Sequence, residues 1–258
     1  MYKMIASGIF ALLTCSFAFT SYAETAEEVL TMGKTTSAAM QQSMTPKQAL
    51  QRLKEGNQRF LSNTKLSRDY LTQAKRSSYG QFPWAVVLNC MDSRSVPELL
   101  FDQGLADLFI LRVAGNVLND DILGSLEFAT KAAGSRLIVV LGHTSCGAVA
   151  GACKDVNLGH LDHVLDKIKP VIAPTEKETG ISDCAKPELI DAIAKNNALN
   201  VARQIREQSP IIRNLLDKGQ IGIVAGVHDL RTGKVTFFEE ERLIPSTQKN
   251  QSQPTSNR

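Results

Sequence analysis

The chain of 258 residues is poor in aromatics, which make up 6% of it with a single tryptophan. No basic stripe interleaves with those few rings, and 29 Lys plus Arg against 26 Asp plus Glu leave a formal net charge of only +3. Both observations argue against a nucleic-acid partner, which needs a concentrated positive footprint. No internal repeat is visible, and the spacing of Gly142, Gly147 and Gly151 is not that of a dinucleotide fingerprint, so no nicotinamide cofactor is expected. What is present is 43% hydrophobic and 21% charged residues, which excludes a disordered or collagen-like chain. This length fits one α/β domain with appended segments, or at most two small domains.

The first 23 residues read as an export signal: Lys3, an apolar run from Met4 to Phe19, and Ser21-Tyr22-Ala23 before Glu24 as a small-residue cleavage site. The competing reading is a membrane anchor, but Ser7, Gly8, Thr14, Cys15 and Ser16 interrupt the run, which is short for spanning ~30 Å of hydrocarbon. Leu12-Leu13-Thr14-Cys15 fits a lipidation site poorly because of Thr14. A periplasmic or secreted location follows, with no membrane contact after cleavage. Losing the signal removes Cys15, and in an oxidising compartment Cys90, Cys146, Cys153 and Cys184 each need a disulfide, a metal or burial. Residues 24–44, rich in Thr, Ser, Met, Gln and Ala, read as a flexible leader, and the polar stretch 245–258 as a flexible tail. The body is then 45–244.

Within the body, Thr45-Pro46-Lys47-Gln48 is a helix start with a capping box, and the helix it opens is expected to reach about Leu61. Four apolar runs, 84–89, 108–113, 137–141 and 221–227, are rich in β-branched residues and lack polar alternation. Such runs are strands covered on both faces, hence a parallel sheet. Helical segments at 120–133, 146–155, 187–208 and 210–218 separate them, and 235–238 alternates like an antiparallel edge strand. The fold class is therefore α/β, a central mostly parallel sheet of four strands plus an antiparallel edge strand, flanked by helices, with an N-terminal helical arm. Residues 156–186 resist assignment.

In such sheets the reactive crevice lies beyond the carboxyl ends of the strands. Cys90-Met91-Asp92-Ser93-Arg94 follows the first run, Arg112-Val113-Ala114-Gly115-Asn116 closes the second, and Gly142-His143-Thr144-Ser145-Cys146-Gly147 follows the third. His143 and Cys146, three apart at a strand-to-helix turn, can point at one centre, and Cys90 can join from a neighbouring strand end. Taken alone, His143-x-x-Cys146 is equally a surface histidine beside a structural thiol. With Cys90 the set becomes two thiolates and an imidazole, donors that suit zinc and leave a fourth position for water. Asp92 and Arg94 are placed to form a bidentate pair, and a carboxylate held this way is kept off the metal.

Cys90-x-Asp92-x-Arg94, Arg112-Val113-Ala114-Gly115-Asn116 and Gly142-His143-x-x-Cys146-Gly147 together closely resemble the β-class carbonic anhydrases, over about Thr45 to Phe238. The resemblance implies Cys90, His143 and Cys146 as ligands of one Zn2+ per subunit, and Asp92 with Arg94 as the catalytic dyad. It implies reversible hydration of carbon dioxide to bicarbonate and a proton by zinc-bound hydroxide. Zinc lowers the pKa of bound water toward about 7 in the three-histidine carbonic anhydrase site, and two thiolates, donating more charge, shift activity to the alkaline side. Gln81 matches a glutamine that faces substrate in the plant-like branch, and the Gly147 amide matches a substrate-facing donor. The other branch carries tryptophan three residues before the first cysteine and a noncatalytic bicarbonate site; here that residue is Val87. The resemblance also implies a homodimer or homotetramer with active sites at subunit boundaries, the Thr45 helix embracing the neighbour.

Two rival functions share the ligand set: hydrolysis of carbon disulfide or carbonyl sulfide, and a non-catalytic zinc-stabilised binding protein. Thiol-phosphatase chemistry is disfavoured because Cys90 and Arg94 are too close to frame a phosphate loop. His160 and His163 suit a second metal less well than a solvated helix face, and His228 reads as a proton relay or a cap. Cys153 is either a small buried hydrophobe or the partner of Cys184.

Overall fold

Apolar runs that bury both faces fix the architecture. In the computed structural model, which describes residues 32–238, the strands are β1 (Ala85–Asn89), β2 (Leu108–Arg112), β3 (Leu137–His143), β4 (Gly222–His228) and β5 (Val235–Phe238). They form one sheet in the order β2-β1-β3-β4-β5, parallel except for β5, which runs antiparallel to β4. Helices α1 (Ala38–Ser43), α2 (Pro46–Leu61) and α3 (Tyr70–Ser77) precede β1, and the one-turn α4 (Pro97–Leu100) follows it. Helix α5 (Asp120–Glu127), continued by a π turn over Phe128–Ala132, leads into β3. After β3 come α6 (Gly147–Cys153), α7 (Leu161–Ile168), α8 (Ile172–Thr179), α9 (Pro187–Gln208) and α10 (Pro210–Asp217).

Side chains alternate across each strand, so the sheet builds two cores. Val86, Leu88, Ile138, Val140, Ile223 and Ala225 pack under Ala198, Val201, Ala202 and Ile205 of α9. Their neighbours Ala85, Val87, Leu137, Val139, Leu141 and Val224 pack under Ala49, Leu50 and Leu53 of α2. Helix α2 starts as its sequence dictates. The Gln48 amide donates to Thr45 Oγ1 and the Thr45 amide to Gln48 Oε1, closing the capping box. Gly56 lets it approach the chain, since a Cβ there would lie 1.7 Å from the Phe101 carbonyl oxygen.

Three expectations need correction. The leader is not mobile throughout: α1 is capped by Ser37, the Thr36 hydroxyl donates to Asp107, and buried Gln41 donates to the carbonyls of Pro83 and Ala133. Composition hid this because polar side chains, not an apolar face, dock the segment. The unassigned stretch 156–186 holds α7 and α8, whose buried Leu165, Ile168 and Thr175 are few because each helix is only two turns long. Strand β3 does not stop at Gly142: it continues because Gly142 and His143 pair with Val227 and His228 of β4. The export signal, residues 24–31 of the leader, residues 239–244 and the tail 245–258 lie outside the described residues.

Candidate metal centre

Two strand ends and a helix start meet at one place. Cys90 follows β1 directly, His143 is the last residue of β3, and Cys146 is the N-cap of α6. All three are buried, at 4%, 0% and 1% exposure, and their ligand atoms lie within 4.8 Å of one another. They form the only such cluster among the described residues. The tight turn between His143 and Cys146 places Ser145 at φ 54°, and Asp191 of α9 secures it by accepting the Ser145 amide at 2.7 Å.

The donor set suits a divalent ion. His143 Nδ1 sits 2.9 Å from the Thr144 carbonyl oxygen, which can only accept, so the proton resides on Nδ1. That leaves Nε2, buried and without a hydrogen-bond partner, as the atom available for a ligand. The two thiols are shifted in opposite directions. The hydrogen bond from Cys146 pulls the Cys90 thiol down to about 4, against its burial, with help from His143 and from the Asp92 and Gly115 amides. The same Cys90 contact, with burial, pushes Cys146 up. For His143, burial favours the neutral ring but is outweighed by Cys90 and Thr144, and the net shift is upward. A cation binding among such donors displaces the thiol protons. Two sulfurs and one imidazole nitrogen fit zinc.

Asp92 faces this cluster from the loop after Cys90, its Oδ2 lying 3.9 Å from His143 Nε2. Arg94 grips it with Nε to Oδ1 at 3.0 Å and Nη2 to Oδ2 at 2.8 Å, and the Arg94 amide adds a third donor at 3.0 Å. These hydrogen bonds hold the Asp92 carboxyl well below the ordinary carboxylate range despite partial burial. The loop is closed by the Ser95 amide donating to the Asp92 carbonyl, and Arg112 clamps it through Nε to the Cys90 carbonyl at 3.1 Å.

Gly147 begins α6 with its backbone exposed and open space where a Cβ would be. Val87 is fully buried in β1. Gln81 is not brought to the cluster of its own chain. It is exposed and lies ahead of β1, where Trp84 donates to the Asp107 carbonyl and Ser135 to the Pro83 carbonyl, at the amino end of the sheet. Cys90 lies at the carboxyl end, five strand residues away or about 16 Å, farther than Gln81 can fold back.

His228 does not stand at an exposed crevice mouth. It is 3% exposed beside His143 in the β3–β4 register, bonds Ser95 Oγ through Nδ1 at 3.2 Å, and is drawn down to about 4 by burial and the His143 charge. His160 and His163 are exposed, rings 6.2 Å apart, with no third ligand among the described residues. Cys153 and Cys184 form a disulfide that ties α6 to the segment before α9. Sequence reasoning missed Asn89, Ser95, Asp191 and Asn197, the polar supports behind the loops. The available signal was Asn197, a polar residue four positions from both Ile193 and Val201 on a buried helix face.

The family model described as "Carbonic anhydrase" matches residues 85–235, which contain every residue of the cluster and its dyad. The carbonic anhydrase of Mycolicibacterium smegmatis is 35% identical over 202 residues, covering 74% of this chain and 92% of that protein. Carbonic anhydrase 2 of Mycobacterium tuberculosis is 32% identical over 198 residues, with the same coverage of 74% and 92%. Among solved structures, the β-carbonic anhydrase CcaA aligns with TM-score 0.61 at 24% identity over 76% of this chain and 99% of its own. A chain from the study of two tetrameric β-carbonic anhydrases of Sordaria macrospora aligns with TM-score 0.60 at 24% identity over 64% and 85%. These two structures speak for the fold.

Proposed function

Because the chain belongs to the β-class carbonic anhydrase family, we propose that Cys90, His143 and Cys146 hold one zinc ion and that the site interconverts carbon dioxide and bicarbonate with release of a proton. The observation that carries the reading is the buried, partnerless Nε2 of His143 facing two thiol sulfurs, with an ionised Asp92 on the open side. The chemistry supplied by a zinc ion bound there is Lewis acidity, which makes water nucleophilic near neutral pH.

The chain's own groups orient that water. Asp92 would accept a hydrogen bond from the attacking O–H and aim its lone pair at the carbon, while Arg94 keeps the carboxylate ionised and holds both of its oxygens in place. As negative charge grows on a carbon dioxide oxygen, the Gly147 amide donates to it. Val87 supports the plant-like reading, an active site without a bicarbonate switch.

Gln81, stranded at the far end of its own sheet, joins a site only when a second copy supplies it. A homodimer or homotetramer therefore belongs to the proposal. The outer edge of β2 supports it: Leu108-Phe109-Ile110-Leu111 are only partly buried and Phe128 beside them is 59% exposed. An apolar edge of this kind pairs with another chain unless it is covered. The Cys153–Cys184 disulfide supports residence in a periplasmic or secreted setting.

Stopped-flow hydration of carbon dioxide, run beside a sulfide-release assay with carbonyl sulfide and carbon disulfide, tests the reading. Hydration far above the buffer rate, lost on chelation and restored by zinc, is the expected result. Sulfide release without hydration overturns the reading in favour of the hydrolase, and silence in both assays in favour of a binding protein.

A further inference from the structure

Helix α9 carries one polar side chain through its apolar face. Asn197 is 0% exposed, and Ile193, Ala194 and Val201 on the same face are buried around it. An amide in such a position is costly unless it is used. It is used once: Nδ2 donates to the Gly115 carbonyl at 2.8 Å, and Oδ1 has no partner. The amide orientation is therefore set, since the reverse would turn an oxygen toward an oxygen.

Gly115 stands at φ 66° in the tight turn Ala114–Asn116, where a Cβ would meet Ile168 Cδ1 at 2.7 Å. With its carbonyl tied to α9, the peptide chain there presents the Gly115 N–H to Cys90 Sγ at 3.3 Å. We infer that Asn197 is a positioning residue, holding the Gly115 turn so that its amide donates to the Cys90 thiolate. A hydrogen bond to a metal thiolate withdraws electron density from the sulfur and fixes its direction, as it does in iron–sulfur sites. Two thiolates would otherwise damp the acidity of the ion they share. Asn197 works against that damping at one of them.

The inference rests on the reading of Cys90 as a metal thiolate, and cadmium-113 separates the two. In the cadmium-loaded, glycine-labelled parent, the Gly115 amide proton is expected to show scalar coupling to the metal across the hydrogen bond, alongside couplings from the Cys90 and Cys146 side chains. Asn197→Leu, which keeps the volume apolar, is expected to lose the amide coupling and to weaken zinc retention about tenfold in chelator competition. Asn196→Ala serves as control, since among the described residues the Asn196 side chain bonds Thr175 and Glu178, and should change neither. Cysteine couplings without an amide coupling in the parent overturn the inference alone. A chain that takes up no cadmium overturns it together with the ligand assignment. If Asn197→Leu does not fold, the parent spectrum decides; if it folds with coupling and zinc affinity unchanged, Asn197 only fills space.

Discussion

Replacing Cys146 with serine is expected to reduce carbon dioxide hydration to the buffer background while the fold persists. The cysteine is 1% exposed at the N-cap of α6 and is one of the three side chains proposed to hold the metal. A serine hydroxyl stays protonated near neutral pH and is a poor donor to zinc, so the remaining imidazole and thiolate no longer form a closed set. Serine nearly matches the shape of cysteine and is itself a good N-cap, which is why the helix should survive. Circular dichroism and thermal unfolding check the fold, and stopped-flow rates check the function. A folded variant with hydration near that of the parent would contradict the role of Cys146.

The second large effect is expected from Asp92→Asn. The amide presents N–H groups where the mechanism needs an acceptor, and it cannot take the paired hydrogen bonds that Arg94 offers to both carboxylate oxygens. A loss of about a hundredfold in kcat follows from the scale of such orienting groups. Stability should change little, since Arg94 is 61% exposed and an ion pair open to water contributes little. Zinc should stay bound, which distinguishes this variant from Cys146→Ser. The pH direction follows as well. Arg94 holds Asp92 below the usual carboxylate range, so the carboxylate is ionised at all pH values above that range, and it is lost to protonation only on strong acidification. A rate within twofold of the parent would remove Asp92 from the mechanism.

Much of the fold and all three residues of the Cys90, His143 and Cys146 cluster are legible in the amino-acid sequence. The β-branched runs leading to Cys90, Asn116 and His143 mark parallel strands, and the candidate ligands sit where those strands end because loops there are free to converge. The capping box at Thr45 and the edge strand at Val235 are equally local signals, set by a few adjacent residues. What the sequence hides depends on contacts between distant segments. Gln81 carries no mark of which end of the sheet it occupies until β1 is built. The packing of residues 32–44 depends on Gln41 reaching two carbonyls that belong to loops far along the chain. Asp191 and Asn197 look like ordinary helix residues, although one pins the turn before Cys146 and the other the turn beside Cys90. Polar supports of this kind follow no period, because each answers a single backbone group elsewhere in the fold.

The most direct test is X-ray absorption at the zinc edge of the purified protein, with the metal quantified per chain. One zinc is expected, with two sulfur neighbours at about 2.3 Å and lighter atoms at about 2.0 Å. A chain free of zinc yet fully active, or a zinc surrounded by nitrogen and oxygen alone, would contradict the assignment of Cys90, His143 and Cys146.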